Sequence, residues 1–586
     1  MTREVAVQQG TGREWGSSRR STGRLRWVGV VGALMLAVGA LSACVPQGPG
    51  AGPDRHGNPL FCDKVKKGSI FVSQGAQMYC FGPQPGQTGA RPNVASPTVS
   101  PTNVAASNLS EDVAPNGTRG YGQSETSVAA NGPYVVEAWN DATGFFAPCG
   151  SPQHKEELTG FAFSSDAGKT FTDFGGLPNN NCAGPNGYFY GGDPSVETAT
   201  IGGVQYFYIS SLFNSMFGGG LSKIAMSVCT ATGTGVGANL ACSQPVVIAQ
   251  SSECTVMFGT TFCSFLDKDF LTVDPVHQRL YASFTEFGSF SPLNTVNLAV
   301  CDISNPTVPS CQNGARGNGS TPQPPYLVVE PTSPNFCENE GAYPAVDSAT
   351  GDVYVAYEHN WATNLGFSAC ANEPVRNVVK RVPFAHLTLP FASGGPTNTT
   401  AINVTSMIGA FVPGSNRFPA SDFPRIAVSG ASGTVSIVWN DARYHPLGDI
   451  LMQSYSLGSL NAASALVQLN ENVGGLHFMP ALRNADSRGL LNVSWYERAT
   501  GNTTITNVEL APGVSPRATA TPSGNVLITD VPTDWNAVSS DITPNFGDYT
   551  DNYVIATGSV PYVGQTVGIA WADGRFGTPQ AFFASK

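Results

Sequence analysis

A pattern of two paired strands recurs seven times between residue 108 and the end of the chain. In each copy, a first strand of alternating apolar residues begins near a proline or a small residue, and a second strand ends in an aromatic residue, often followed by an acid. The copies are Ser124–Val128 with Tyr134–Asp141, Gly192–Val196 with Tyr206–Tyr208, Asp267–Val273 with a strand ending at Phe284–Glu286, Tyr343–Val346 with Tyr354–Glu358, Asp422–Ile426 with Trp439–Arg443, Phe478–Leu482 with Trp495–Arg498, and Gly547–Asp551 with Trp571–Arg575. Hairpins of period two that recur at a near-constant spacing predict a β-propeller.

The spacing of the copies predicts how many strands each blade holds. Successive copies lie 56 to 80 residues apart, which leaves room for two further strands in each interval. Such strands are expected at Thr159–Phe163, Ile224–Val228, Val296–Val300 and Ile450–Tyr455. We therefore expect an all-β fold of four-stranded blades, with seven blades favoured over six and a two-sheet sandwich as the alternative. The last copy lacks a fourth strand, and residues 103–109 could supply it and close the ring.

The composition agrees with a turn-rich β protein. The 586 residues include 66 glycines and 43 prolines, charged residues make up 12%, and aromatic residues make up 10%. So many glycines and prolines exclude long helices. The aromatic content suffices for a core, which excludes wholesale disorder. The net charge of −11 argues against a nucleic-acid partner.

The first 43 residues have the features of an export signal. Four arginines precede an apolar run from Trp27 to Leu41, which is shorter than the ~20 residues of a membrane span. The run ends at Leu41-Ser42-Ala43-Cys44, which resembles a bacterial lipobox, in which the cysteine carries the lipid. We predict a lipoprotein held on the outer face of a bacterial membrane by Cys44 alone, with an ordinary cleaved signal peptide as the alternative. Without residues 1–43, 24 Lys+Arg stand against 39 Asp+Glu, a net charge of −15.

The chain therefore divides into five segments. Composition and spacing predict a signal peptide at 1–43, a tether at 44–60, a small disulfide loop at 61–82, a linker rich in Pro, Ser and Thr at 83–107, and the propeller at 108–586.

Twelve cysteines remain after Cys44, an even number that suits an oxidising compartment. Pairing each cysteine with its nearest neighbour gives Cys62–Cys80, Cys149–Cys182, Cys229–Cys242, Cys254–Cys263, Cys301–Cys311 and Cys337–Cys370, although sequence alone does not fix the connectivity. No Cys-x2-Cys pair occurs, so a zinc site is not favoured.

One hairpin carries a motif of known structure. Ser164, Asp166, Gly168, Thr170 and Phe171 match the Asp-box pattern, in which the Asp accepts hydrogen bonds from backbone amides and the Gly takes a positive φ. With the seven copies, this motif makes residues 108–586 resemble the sialidase superfamily of BNR-repeat β-propellers. The Asp box is structural, so the resemblance implies a fold and leaves the chemistry open.

The resemblance also implies candidate catalytic residues. Sialidases use a Tyr nucleophile, an activating Glu and an Asp acid/base. Tyr549-Thr550-Asp551 is similar to the nucleophile motif of the family, and Glu340, its neighbour Glu338 and Asp548 are candidates for the acidic roles. The alternative is that Tyr549 belongs to the repeating framework and that Glu338 and Glu340 are solvated in a loop.

The chain departs from the family in its first blade. The Arg motif expected there is missing, because Gln123–Thr126 stands in its place. Arg425 and Arg483 lie on first strands of later copies and could form a displaced site for a substrate carboxylate. Arg443 and Arg575 are instead expected to brace their own blades through a neighbouring aspartate.

A second candidate site does not depend on the resemblance. In five copies an acid falls just before the first strand, namely Glu125, Asp193, Asp269, Asp422 and Asp548. If the first strands line a central channel, these acids gather at one mouth of it, where they could bind a ligand or a cation or act as acid and base. The alternative is that each acid caps the turn at which its own strand begins.

Two functional hypotheses follow. We favour a cell-surface propeller that binds an extracellular glycan or protein without catalysis. The alternative is an exo-sialidase-like glycoside hydrolase that acts on extracellular glycoconjugates. In either case we expect a monomer with no nucleic-acid partner and no cofactor beyond a structural calcium ion.

Overall fold

The computed structural model describes the propeller and a short segment before it. The described residues are 59–67, 72–82, 103–113, 117, 120–146, 157–182, 187–215, 220–257, 259–311, 326–361, 370, 373–388, 394–406, 423–485, 488–498, 501, 504–541, 547–555 and 566–586. Helices α1 (Pro59–Lys66) and α2 (Gln74–Phe81) come first. Within these ranges no helix is long and apolar enough to cross a membrane. The predicted signal peptide, Cys44 and most of the linker lie outside the described residues.

The strands form seven antiparallel sheets and a separate hairpin. After β1 (Val104–Ala105), blade 1 contains β2 (Gln123–Asn131), β3 (Tyr134–Asp141), β4 (Thr159–Ser164) and β5 (Thr172–Gly176). Blade 2 contains β6 (Tyr188–Tyr190), β7 (Ser195–Ile201), β8 (Val204–Ser215), β9 (Lys223–Thr232), β10 (Asn239–Cys242) and β11 (Val246–Gln250). The hairpin is β12 (Cys254–Met257) with β13 (Thr260–Cys263). Blade 3 contains β14 (Phe265–Asp274), β15 (Arg279–Phe287), β16 (Asn294–Asp302), β17 (Ser310–Cys311) and β18 (Leu327–Glu330).

The remaining blades follow in chain order. Blade 4 contains β19 (Asn339–Asp347), β20 (Asp352–His359), β21 (Arg376–Val382) and β22 (Asn398–Asn403). Blade 5 contains β23 (Arg425–Ser429), β24 (Thr434–Asp441), β25 (Asp449–Ser456) and β26 (Val467–Gln468). Blade 6 contains β27 (Leu476–Asn484), β28 (Leu491–Arg498), β29 (Ile505–Val514), β30 (Val526–Leu527) and β31 (Thr533–Asp534). Blade 7 contains β32 (Asp551–Ile555), β33 (Thr566–Asp573), β34 (Gln580–Ser585) and, at its outer edge, β1.

The ring is closed by contacts between first strands and by one long-range strand pair. The first strands β2, β7, β14, β19, β23, β27 and β32 contact one another in this order, and β32 contacts β2. At the outer edge of blade 7, Val104 pairs with Phe583 and Ala105 with Phe582. The predicted all-β propeller, its seven blades and its closure by residues 103–109 are therefore confirmed.

Apolar clusters between neighbouring blades form the core. The aromatic residues near the ends of the second strands are among their largest members, and Trp139, Trp439, Trp495 and Trp571 are at most 1% exposed. Burying a large apolar side chain contributes about 1.5–3 kcal/mol. The aromatic residue that recurs in the sequence pattern is therefore what holds adjacent blades together.

A bulge recurs where the first strands enter the centre of the ring. The residue at this position has a positive φ in six blades, namely Glu125, Asp193, Lys268, Gly341, Met479 and Gly547. In blades 1, 3, 4 and 6 the pairing with the second strand shifts register at the same point. A bulge re-aims the side chains beside it. The acids that precede the first strands in the sequence therefore lie at the bulge or directly after it.

Five of the six predicted disulfides are confirmed. They are Cys62–Cys80, Cys229–Cys242, Cys254–Cys263, Cys301–Cys311 and Cys337–Cys370, while Cys149 lies outside the described residues. The first of them joins α1 to α2, so residues 61–82 hold two short helices where an irregular loop was expected. Five disulfides indicate an oxidising compartment, which agrees with export.

The Asp box adopts its expected geometry. Asp166 accepts hydrogen bonds from the amides of Lys169 at 3.1 Å and Thr170 at 2.9 Å, and Gly168 has a φ of 82°. The ring of Phe171 lies 5.3 Å from that of Phe583 in blade 7. The motif therefore stabilises the contact between the first and last blades.

The bulge glycine of blade 4 gives a test of this architecture. A Cβ on Gly341 would lie 2.1 Å from ring atoms of Phe423, whereas Gly433, with nearly the same φ, has nothing within 4 Å. We expect Gly433→Ala to lower the free energy of unfolding by about 1 kcal/mol through the positive φ alone. Gly341→Ala adds a steric clash and is expected to cost about 1–3 kcal/mol more. Equal losses in urea unfolding would contradict the close approach of blades 4 and 5.

Candidate functional site

Side chains from blades that are not neighbours meet at the axis of the ring. Lys268 of blade 3 contacts Asp548 of blade 7 at 2.5 Å, and Arg483 of blade 6 contacts Glu197 of blade 2 at 2.5 Å. Such contacts form only inside the central channel. They fall into two levels, which we call the bulge layer (Glu125, Asp193, Asp267, Lys268, Asp269, Glu340 and Asp548) and the arginine layer (Glu197, Tyr343, Arg425, Arg483, Asp551 and Tyr553).

The bulge layer contains four of the five acids singled out in the sequence. Glu125 lies 3.9 Å from the Lys268 ammonium and accepts a hydrogen bond from the amide of Asp548 at 2.9 Å. Asp193 and Asp269 are at most 1% exposed. The channel therefore brings these acids together, with Glu125 and Asp548 beside Lys268. The fifth acid, Asp422, lies outside the described residues.

Burial alters the titration of these acids. Desolvation, with repulsion from Asp193, raises the pKa of Asp267 to about 7. Desolvation also raises the pKa values of Glu125, Asp269 and Glu340 well above their usual range. The charge of Lys268 opposes these shifts for Glu125, Asp267 and Glu340 without cancelling them. Carboxyl groups of the bulge layer therefore retain protons at pH values where free carboxyl groups are ionised.

The arginine layer brings the two candidate arginines together and neutralises them. Arg483 bonds to Glu197 at 2.5 Å and to Asp551 at 3.0 Å, and Arg425 reaches Asp551 at 3.4 Å. The Arg425 guanidinium also lies over the ring of Tyr343, 4.1 Å from its centroid. Two arginines thus share two carboxylates of the protein itself. A substrate carboxylate would have to displace them.

Tyr549 is placed as a framework residue. It is 4% exposed, and its hydroxyl donates a hydrogen bond to the carbonyl of Pro194 at 2.8 Å. Burial raises its pKa well above the usual range, with repulsion from Glu125, Asp193 and Asp269 adding to the shift. A nucleophilic phenol needs the opposite shift, towards the phenolate.

The alternative that placed Glu338 and Glu340 in a solvated loop was wrong. Glu340 lies within strand β19 and is 0% exposed, and Glu338, directly before the strand, is 8% exposed. The bulge at Gly341 gives the Glu-Asn-Glu-Gly stretch the appearance of a loop in the sequence, although it belongs to a first strand. Glu340 is therefore part of the buried bulge layer.

The two N-terminal helices close the channel above the bulge layer. We call α1, α2 and residues 72–73 the helical cap. The amide of Ser73 donates to Asp267 at 2.7 Å, and that of Gly75 donates to Asp193 at 3.0 Å. Between them, Gln74 accepts hydrogen bonds from Ser124 at 2.6 Å and from the side chain of Asn140 at 2.7 Å.

Apolar contacts hold the cap in place. Phe61 is fully buried and stacks on Phe265 at 4.2 Å, and Ser73, Gln74 and Ala76 are also fully buried. The orphan amides at a helix N-terminus favour negative charge, and here they face the acids of the channel. The chain therefore seals this mouth of its own channel.

The space left inside the channel is small. A cavity of about 10 Å³ lies between the two layers, and its walls include Tyr343, Arg425, Asp548 and Tyr549. This volume holds about one water molecule. Among the described residues, Nε and Nη1 of Arg425 border this region without a hydrogen-bond partner. A sugar ring does not fit there.

A larger cleft lies on the outer rim, between blades 5 and 6. Its volume is about 370 Å³, within the range of about 300–1,000 Å³ typical of small-molecule sites. The cleft is lined by Tyr444, His445, Leu466, Val467, Gln468, Thr519, Ala520 and Thr521. Tyr444 is 51% exposed, and Nδ1 of His445 lies 2.8 Å from a carboxylate oxygen of Asp449. This rim cleft offers an accessible aromatic ring with uncharged polar groups around it.

One group of possible metal ligands occurs in the described part of the chain. Cys337, His359 and Glu373 lie close together, but Cys337 is bonded to Cys370 and offers no thiolate. The expectation of a structural calcium ion stays a prediction.

The expected bracing role of Arg443 and Arg575 is confirmed. Each forms a salt bridge of 2.7–2.8 Å with an aspartate two residues before it, Asp441 and Asp573. These two arginines are therefore committed to their own blades.

The sequence pattern also missed residues of the channel. Glu197 lies four residues beyond Asp193, so the period of two along a first strand could have identified it. The sequence identified Asp551 only as part of the nucleophile motif, without its role beside the arginines. Lys268 occupies a bulge position that elsewhere holds an acid, a glycine or a methionine. No sequence pattern near Gln74 indicates its place in the channel, because its contacts are with residues 50 and 66 positions away.

Comparison with known proteins finds only distant structural similarity. No family model and no curated protein matches the sequence. Among solved structures, a Hadza microbial sialidase, Hz136, is 11% identical with a TM-score of 0.34, over 70% of this chain and 65% of that protein. A Penicillium chrysogenum α-L-arabinanase complexed with arabinobiose is 11% identical with a TM-score of 0.36, over 71% and 98%. Trypanosoma rangeli sialidase is 10% identical with a TM-score of 0.35, over 82% and 73%. At this level the matches bear on the fold alone.

The bulge layer predicts how stability depends on pH. The pKa of Asp267 is raised to about 7 on folding, so the folded protein holds a proton there that the unfolded chain releases near pH ~4. Stability is therefore lost as pH rises from about 4 to 7. We expect Asp267→Asn to reduce this loss by about 4 kcal/mol in urea unfolding, since one pKa unit corresponds to about 1.4 kcal/mol.

Asp302 is the matched control. A hydrogen bond from Ser304 and the charge of Arg279 lower its pKa, so the stability it contributes is lost as pH falls. Asp302→Asn should therefore leave the decline between pH 4 and 7 in place. An equally steep decline in Asp267→Asn would contradict a buried, protonated bulge layer.

Proposed function

We propose that this chain is an exported, lipid-anchored propeller that binds an extracellular glycan at its rim and does not turn it over. The observation that carries the proposal is the sealed channel. The residues on which sialidase-type chemistry would depend are buried beneath the helical cap. The Tyr549 hydroxyl and the Arg483 guanidinium are engaged within the protein, whereas the Glu340 carboxyl is buried without a hydrogen-bond partner among the described residues.

The charges of the channel support a structural role. A substrate carboxylate would compete with Glu197 and Asp551 for Arg483, and breaking a buried ion pair costs about 3–5 kcal/mol. The Tyr549 hydroxyl faces the Pro194 carbonyl in place of a base. Neither the nucleophile nor the anion site is available while these contacts and the helical cap are in place.

The rim cleft suits a neutral sugar. An exposed aromatic ring provides a flat apolar surface with a polar tip, and threonine and glutamine side chains supply uncharged hydrogen-bonding groups. The guanidinium of Arg443, next to Tyr444, is engaged by Asp441 and by the carbonyl of Asn403. The cleft therefore offers little to attract a carboxylate, which favours neutral hexoses over sialic acids as ligands.

An exo-sialidase-like glycoside hydrolase is the alternative. It is favoured by Arg425, whose Nε and Nη1 lack partners among the described residues although the side chain is only 4% exposed. A carboxylate would satisfy both groups. This activity would require the helical cap to leave the channel mouth.

Glycan binding tests the proposal directly. We expect the mature chain to bind neutral glycans on an array, and Tyr444→Ala to weaken this binding at least ~10-fold, because interface aromatics of this kind contribute about 1.4 kcal/mol or more. Phe336→Ala removes another aromatic ring that is 51% exposed and should bind like the parent. Equal loss in both variants, or none in Tyr444→Ala, would contradict a site at the rim.

Enzyme assays separate the two hypotheses. We expect no hydrolysis of a fluorogenic sialoside by the mature chain, because Tyr549 is buried and its hydroxyl is engaged. Turnover that disappears in Tyr549→Phe, with an unchanged melting temperature, would overturn the proposal and establish the hydrolase.

A further inference from the structure

We infer that the β12–β13 hairpin is a membrane-contact surface that orients the propeller on an anionic lipid bilayer. The surface consists of Val256 and Met257 at the hairpin and Phe290 in the adjoining loop. This inference rests on the lipid anchor of the proposed function and is independent of the glycan site.

The hairpin exposes apolar side chains that the fold does not use. Val256 is 68% exposed, Met257 37% and Phe290 40%. The ring of Phe290 lies 5.7 Å from that of Phe262 on β13. The Cys254–Cys263 disulfide closes the base of the hairpin, so the apolar residues project from a rigid support. Apolar side chains grouped on a small projection are typical of an interaction site.

The hairpin and the helical cap lie at the same end of the ring. The hairpin leads into β14, at the end of that strand where Asp267 accepts a hydrogen bond from the cap. Lys64 of α1 donates to the carbonyls of Gly288 and Ser291, and Ser291 in turn donates to Glu253 beside β12. Helix α1 is thus joined to the hairpin through the loop that carries Phe290.

The position of the predicted anchor identifies the bilayer as the partner. Pro59, where α1 begins, follows Cys44 by 15 residues, a span of at most about 50 Å when fully extended. A lipid at Cys44 therefore keeps this end of the ring close to the membrane. Among the lysines of this end, Lys64 is held by the carbonyls of Gly288 and Ser291 and Lys67 pairs with Asp63, which leaves Lys66 to attract anionic headgroups.

Contact at this edge would set the orientation of the ring. The hairpin joins blade 2 to blade 3, and the rim cleft lies between blades 5 and 6, on the far side of the seven-membered ring. A bilayer contact at blades 2 and 3 therefore lies across the ring from the Tyr444 cleft, although both lie at the end of the ring where the first strands begin. An apolar hairpin beside a lipid anchor gives the second contact that a fixed orientation needs.

Vesicle binding tests this inference without the anchor. The mature chain with Cys44→Ser is sedimented with phosphatidylcholine vesicles that contain or lack 30% phosphatidylglycerol. We expect measurable binding, stronger on the anionic vesicles, and a decrease of roughly 5-fold or more in Val256→Asp/Met257→Asp, because both side chains leave the lipid interface.

A matched variant controls for exposure. Val276 is 69% exposed and lies in the turn after β14. The length of that strand, about 33 Å, separates Val276 from the cap. Val276→Asp should therefore bind vesicles like the parent. The inference would be overturned if the Cys44→Ser chain did not bind vesicles or if both variants lost binding equally. It would also be overturned by a dimer in solution that only the hairpin variant disrupts, and that result would assign the surface to a second copy. Glycan binding is measured without vesicles, so its outcome tests the rim site independently of the membrane contact.

Discussion

The burial of charge at the axis of the ring is the constraint on which the rest of the structure depends. Seven first strands converge there, and their bulges direct carboxylates from several blades into a space without bulk water. A buried charge is costly unless it is paired or neutralised. Lys268, the arginine layer, retained protons and the amides of the helical cap together neutralise these acids.

The neutralisation of these charges within the channel limits what the channel can bind. The same acids and arginines that resemble a catalytic site also connect non-neighbouring blades, as in the pair Arg483 and Glu197. A group engaged in holding the ring together is not free to bind substrate. The channel therefore supports a framework role, and ligand binding is better placed on the rim, where Tyr444 is accessible. Fold alone does not give function, and here the site chemistry argues against the activity that the resemblance implied.

Sequence analysis predicted the fold well because each blade repeats a local pattern. Strand period, aromatic residues at the ends of second strands and neighbouring cysteines are local features, and they predicted the blades, the closure and five disulfides. The channel depends on contacts that no local pattern contains. Lys268 and Asp548 are 280 residues apart, and Ser73 and Asp267 are 194 apart. The strand position of Glu340 was not predicted either, because the glycine of the bulge gives the sequence of this strand the features of a loop.

The central claim is that the helical cap seals the channel as part of the folded core. The most direct measurement is hydrogen–deuterium exchange of the Ser73 and Gly75 amides, which donate to Asp267 and Asp193. These amides should exchange as slowly as those of β14, because both are released only when the ring unfolds. Exchange at the rate of an exposed segment, while β14 stays protected, would show a channel open to solvent and contradict the account.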